Sequence, residues 1–163
     1  MTIGTVRTQG TEVFFVDTLT SSVAALVKVS CPTGVTGLGG AADQIEDTCL
    51  DTTGDKTYQR GLGNPGQVSV PFNLIPRETS HQLLFDLKND GRVLAWIACL
   101  SESATDPTLD TDDTIIAPAD RSSFEFDAFV SDVNIDIATN EIVRGTLSLQ
   151  RSGNVTFNAF TPV

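Results

Sequence analysis

The residues that could do chemistry in this 163-residue chain are few. His81 is the sole histidine, so any Ser-His-Asp or Cys-His nucleophile would depend on it. No G-x-S-x-G elbow accompanies it, and it falls in the first turn of a predicted helix, beside Thr79 and Ser80. Nothing local supports a partnership with Cys31, Cys49 or Cys99, and a long-range Cys–His pair stays open. Asp106, Asp110, Asp112 and Asp113 offer the oxygen ligands that calcium takes. Their spacing is not that of an EF-hand, and no glycine lets the segment turn around an ion. Gly61-Leu62-Gly63-Asn64-Pro65-Gly66 spells G-x-G-x-x-G. A dinucleotide site needs a strand before that motif and a helix after it. Here a polar stretch precedes and a strand follows, so the motif reads as a glycine-rich bend. Paired carboxylates for glycoside hydrolysis stay open in so acidic a chain. One Trp and one Tyr, however, make a poor sugar-stacking cleft. No catalytic, cofactor or metal site is expected.

Charge narrows the classes further. Ten Lys and Arg face 21 Asp and Glu, a net charge of −11. Such a chain lacks the basic footprint that neutralises phosphates. Sixteen of the acids lie in segments 43–55, 102–120 and 125–141, which hold no basic residue, so like charge is concentrated. No apolar run approaches the ~20 residues of a membrane span. Residues 1–10 are polar, so no signal peptide is expected and the Asn154-Val155-Thr156 sequon is idle. Three cysteines without a C-x-x-C argue against a disulfide framework or zinc. They read as reduced, partly buried residues of a cytosolic folding environment.

The elements that would position these residues are mostly strands. Val68, Val70, Phe72 and Leu74 alternate with polar neighbours, as do Val143, Gly145, Leu147 and Leu149. Pro71 marks the first of these as an edge or bulged strand. Segments 12–17 and 24–31 are shorter candidates, and 92–100, with Trp96, is apolar on both faces. In 124–137 the apolar phase flips between Val130 and Val133, so a bulge is expected near Ser131–Asp132. Ser152-Gly153-Asn154 predicts a tight turn. One helix is expected over about 78–89, with a capping box at Thr79–Gln82, a Leu83/Leu84/Leu87 stripe and a stop at Gly91. Residues 33–66 hold eight of the thirteen glycines and read as a long structureless loop, which is uncommon unless functional. Residues 101–123 form a second acidic loop.

Several motifs then converge. Gln44-Ile45-Glu46-Asp47-Thr48-Cys49-Leu50-Asp51 is followed by Gly61–Gly66 and the strand Gln67–Val70, and Arg144–Gly153 stands near the end. Over nearly its whole length the chain resembles the tail tube (major tail) proteins of long-tailed, non-contractile bacteriophages. The resemblance implies a mainly β sandwich or barrel-like fold with one flanking helix, in a single domain without the C-terminal immunoglobulin-like domain of some relatives. It implies hexameric rings whose inner sheets join into a barrel, stacked into a tube that conducts DNA without specific binding or membrane insertion. Partners would be the tape measure, tail terminator and tail tip proteins, with assembly in the host cytoplasm. Inter-ring contacts would come from the long loop, with Ile45, Glu46, Cys49, Leu50, Tyr58 and Leu62 as candidates. The N-terminal arm, residues 1–10, would add Ile3, Val6 and Arg7. An acidic lining that repels phosphates suits a conduit, and Glu125, Asp127, Asp132 and Asp136 are the candidates for it. The alternatives are a type VI secretion tube protein, a carbohydrate-binding β-sandwich and a small acidic hydrolase.

Overall fold

A computed structural model describes residues 4–160 of the chain. In chain order the elements are β1 (Glu12–Asp17), β2 (Ala25–Lys28), β3 (Ala42–Glu46), β4 (Tyr58–Gly63), β5 (Gln67–Asn73), α1 (Thr79–Asp90), β6 (Leu94–Cys99), β7 (Thr108–Leu109), β8 (Ile115–Ile116), β9 (Ser123–Asp136) and β10 (Arg144–Asn158). Six strands make the main sheet, in the order β2-β1-β6-β9-β10-β5, with every neighbour antiparallel.

β5 stands last in that order, as the missing amide of Pro71 requires. Its outer side is nevertheless covered. Residues 31–36, the continuation of β2, run along it: Thr33 N–H donates to Pro71 O (2.7 Å), Thr36 and Ser69 exchange bonds of 2.9 Å each, and Asn73 N–H donates to Cys31 O (3.1 Å). Since β2 lies at the opposite end of the sheet, this seam curls the sheet into a barrel-like shell. The inward phase of each strand fills it, with Val13, Phe15, Val68, Val70, Phe72, Trp96, Phe126, Leu147 and Leu149 in one cluster. Each large side chain so buried contributes about 1.5–3 kcal/mol. Helix α1 adds Leu83, Leu84 and Leu87 to this core. Trp96 donates its indole N–H to Ala128 O (3.1 Å), so its polar atom is satisfied in the interior.

β6 is apolar on both faces because both are covered. Trp96 points into the shell, whereas Ile97 and Cys99 join Phe14, Val16 and Ile115 in a second cluster beneath the β7–β8 hairpin. The bulge expected at Ser131–Asp132 is present: Asp132 pairs with Ser148, and Val130 with Leu149. Val130 and Val133 both stay buried as a result.

Other expectations are corrected. Residues 33–66 are not structureless, because β3 and β4 pair there as a hairpin, and the first half of the glycine motif lies in β4. The second acidic loop carries the short β7–β8 pair. Ser152–Asn154 is no turn: β10 runs through it, and the register against β9 slips between Ser152 and Thr156, with Gly153 at φ +92°. A glycine signal that fits a turn fits a bulge equally well. The capping box does not form. Glu78 is the N-cap and its side chain makes no cap bond, while Gln82 Nε2 donates to Pro76 O (2.9 Å). Gly91 ends the helix at φ +76°, as expected. Of the cysteines only Cys99 is buried; Cys31 and Cys49 are exposed.

Candidate functional site

His81 has no spare nitrogen for catalysis. Its Nδ1 accepts the Ile75 N–H (3.0 Å), which leaves Nε2 to donate to Ser30 O (2.7 Å). The ring is buried against Phe72 and fastens the start of α1 to the end of β2. The Cys99 thiol is pushed up to about 11, chiefly by burial, so it is a poor nucleophile. In the acidic loop, Asp110 Oδ1 accepts the N–H groups of Asp112 and Thr114 (2.9 Å each), which is turn chemistry.

What the fold presents instead is surface. The β3–β4 hairpin exposes Ile45, Leu50, Tyr58 and Leu62, and exposed Cys49 lies near its tip. Glu46 pairs with Lys56 (3.0 Å), and Asp47 accepts Gln59 Nε2 (2.7 Å). Hydrogen bonding from Thr57, and then from Gln59, holds the Asp47 carboxyl below its ordinary range. Neither face of the hairpin meets the main core. A two-stranded hairpin without a core is marginal in water. Its stem is closed by Asn64 N–H donating to Ala41 O (2.8 Å) and is held to the body by Gln150 Nε2, which donates to Gly66 O (3.0 Å).

In the N-terminal arm Val6 and Arg7 are exposed, and Ile3 lies outside the described residues. The arm's root is tied down, with Ser101 Oγ donating to Arg7 O and Arg121 to Gly10 O (3.3 Å).

The four acids proposed for a lining all sit on the side of β9 that faces away from the core, but in different settings. Glu125 is half-buried in a cavity of about 310 Å³ with Asp113, Ile115 and Asn154, and that burial raises its carboxyl. Asp132 is bonded by Lys88 of α1 at 2.7 Å, which lowers its carboxyl. Asp127 and Asp136 are exposed and have no cationic partner among the described residues. The four therefore do not form one row of free charge.

Sequence reading missed two buried arginines. Arg121 donates to Glu12 Oε2 (2.9 Å) and to the carbonyls of Leu100, Cys99, Thr105 and Gly10. Arg151 is also buried, yet its one side-chain hydrogen bond runs from Nη2 to Gly39 O, and its Nε has no partner. A signal for Arg151 was available: it continues the inward phase of Gly145, Leu147 and Leu149.

The described residues thus present an exposed apolar hairpin on a curled β shell. The sequence pattern of the lambda-like phage tail tube family (TTP) matches residues 4–160. The chain belongs to that family. Structural protein 3 of Pseudomonas phage PAJU2 is 33% identical over 152 residues, covering 91% of this chain and 90% of that protein. Among solved structures, a chain of the anti-feeding prophage baseplate, 6-fold symmetrised, superimposes with a TM-score of 0.67 at 9% identity, covering 99% of this chain and 100% of that one. The SPP1 tail tube superimposes with a TM-score of 0.63 at 12% identity, covering 97% and 81%. These two likenesses concern the fold. The family is structural rather than enzymatic, so the tail tube subunit is a phage virion component, and its working parts are its surfaces.

Proposed function

We propose that this subunit builds a tail tube from stacked rings of six, and that DNA crosses the tube on its way into the host cell. The observation that carries the reading is the β3–β4 hairpin, whose Ile45, Leu50, Tyr58 and Leu62 are exposed on the subunit. Stacking on a neighbouring ring would bury them, with Glu46 and Cys49 at the same contact. The arm residues Ile3, Val6 and Arg7 would add to it.

Ring closure has its own support. β6 pairs with β9 only over Ser123–Ala128, and β5 pairs with β10 only over Arg144–Gln150. Residues 129–136 of β9 and 152–158 of β10 thus each have one side without a strand partner among the described residues, on opposite flanks of one ribbon. Bare strand edges are a liability in a monomer. They become an asset where one copy's β10 meets the next copy's β9, a heterologous contact that can close into a ring. The 6-fold symmetry applied to the anti-feeding prophage structure supports six copies.

The lumen wall in this reading is the outward face of β9, β10 and β5. Asp127 and Asp136 supply its charge, and Asp132 and Glu125 lie at its margins. Lys and Arg there would release counterions from DNA and hold it, whereas acids and hydroxyls let it pass. Tape measure, terminator and tip proteins would set the tube's length and ends, with assembly in the host cytoplasm and the finished tube in a siphophage virion.

Electron cryomicroscopy of the concentrated purified subunit tests the whole reading. Hollow stacked rings are expected. A protein that stays strictly monomeric even beside tail initiator components would overturn it.

A further inference from the structure

The main sheet has an apolar end that the fold leaves uncovered. Asp136, Arg144 and Asn73 pair across β9, β10 and β5 and form the last row of that ribbon. Just beyond the row stand Ile137 after β9, Ile142 before β10 and Ile75 after β5. All three are exposed, Ile137 to 80% and Ile142 to 58%. A backbone bond from Leu74 N–H to Val143 O (2.9 Å) keeps the continuation of β5 beside the β9–β10 turn. The three isoleucines therefore share one end of the ribbon. A single exposed isoleucine needs no explanation, but three at one end do.

The β3–β4 hairpin leaves from the opposite end. β4 stops at Gly63 and β5 begins at Gln67, which pairs with Gln150. The seven residues of β5, roughly 20 Å of strand, separate that exit from the Asn73–Arg144 row. Charge follows the same division. Asp51 and Asp55, between β3 and β4, are exposed and have no cationic partner among the described residues. Arg77, two residues after Ile75, is exposed and has no acidic partner among them. Arg144 reaches only Glu141, at 3.9 Å. One subunit thus carries an apolar projection with acids near its tip, and an apolar end with a spare cation.

We infer that the end formed by Ile75, Ile137 and Ile142, with Arg77 beside them, is the seat for the β3–β4 hairpin of a second copy in the adjoining ring. The inference rests on the tube reading and names the surface that receives the hairpin. Two unlike patches at opposite ends make a head-to-tail contact, which repeats as an open stack rather than closing on two copies. Seating takes the apolar surface of both patches out of water together. The ionic partners are exposed and contribute little alone, so their work is to fix the register in which the hairpin sits.

Cysteine cross-linking reads the contact. Cys49 is exposed near the hairpin tip, and Ile142→Cys places a second thiol at the seat. In assembled Ile142→Cys tubes a short bismaleimide should join copies into a ladder that native tubes do not give and that Cys49→Ser removes. A ladder indifferent to Cys49, or none in tubes that do form, would overturn the seat. Ile137→Ser/Ile142→Ser should leave the subunit's melting temperature nearly unchanged, as at other exposed positions. It should nonetheless raise the critical concentration for tubes about tenfold or more. Tubes at the native concentration would overturn the seat as well. Arg77→Asp should also raise that concentration, and Asp51→Lys/Asp55→Lys in the same chain should bring it back. A swap that only adds to the defect would overturn the ionic half of the contact. If the native protein forms no tubes, the tube reading falls and the seat with it. Native tubes whose seat variants behave otherwise than expected sink the seat alone.

Discussion

Two carboxylates, Glu12 on β1 and Glu125 on β9, are tuned in opposite directions, and each has a consequence for stability. Burial pushes the Glu12 carboxyl up, but hydrogen bonds from Lys28 and Arg121, and their charge, outweigh it and hold the group below its ordinary 4.5. The unfolded chain then binds that proton more tightly than the folded one. Stability from Glu12 is complete above about pH 4.5 and drains away as pH falls through the lower folded value. Glu12→Gln should therefore lower the melting temperature at pH 7 and do progressively less as the pH drops below 4, which a pH series of thermal melts reads directly. Glu125 is the reverse case. Burial raises its carboxyl, with only a hydrogen bond to Asn158 in opposition. Its contribution is favourable at low pH and is lost as pH rises through the raised value. Glu125→Gln should thus raise the melting temperature at pH 7 and leave it unchanged near pH 4. If both variants shift the melt equally at both pH values, these charge assignments are wrong.

At the scale of elements, β10 shows how a strand is fitted to its neighbours. Gly145 pairs directly with Phe72 of β5, and a Cβ there would collide with three atoms of the Phe72 ring. The ring fills the space that glycine leaves. Gly145→Ala should cost about 1–3 kcal/mol by overpacking, measured by urea unfolding with the fluorescence of Trp96, the only tryptophan. The same strand shows what could be read from residues alone. Alternation and the phase flip at Val130/Val133 gave its pairing faces and the bulge in β9, because burial imposes period two directly. The Ser152–Asn154 bulge was misread because a glycine with positive φ serves turn and bulge alike, and only the partner strand decides between them. The β3–β4 hairpin was invisible for a different reason: it has no buried face in the subunit, so its sequence bears no period. Arg151 was hidden in plain phase, since an inward arginine looks like an error in the pattern until its surroundings are known. The hairpin's apolar residues yield a prediction of their own. Replacing Ile45, Tyr58 and Leu62 with Ser should shift the subunit's stability by only about 0.5 kcal/mol per site, as for other exposed positions. It should abolish tubes at concentrations where the native protein forms them. A large loss of subunit stability would mean that the hairpin is part of the subunit's own fold.

For the whole molecule the net charge of −11 divides into populations with different work. Lys28, Lys56, Lys88, Arg92, Arg121 and Arg144 are each within ion-pair distance of an acid, so several carboxylates are occupied inside the subunit. Acids without such partners remain at the hairpin tip, in the β7–β8 loop and on the outward face of β9. Six copies in a ring would bring the β9 acids around one axis. The field of a fixed charge decays over about 8 Å at physiological salt, so it acts on DNA only where the wall lies close to the duplex. A narrow lumen meets that condition, and an outer surface does not. Asp127→Lys/Asp136→Lys makes the distinction experimentally. If these residues face the lumen, variant tubes should retain DNA in a nuclease-protected, salt-releasable form, and phage carrying the variant should eject their genome slowly. If they lie on the outer wall, bound DNA should be nuclease-sensitive and ejection unchanged. The first outcome would support the proposed conduit: a wall that passes DNA must not bind it, and for that the sign of the charge matters more than any particular contact.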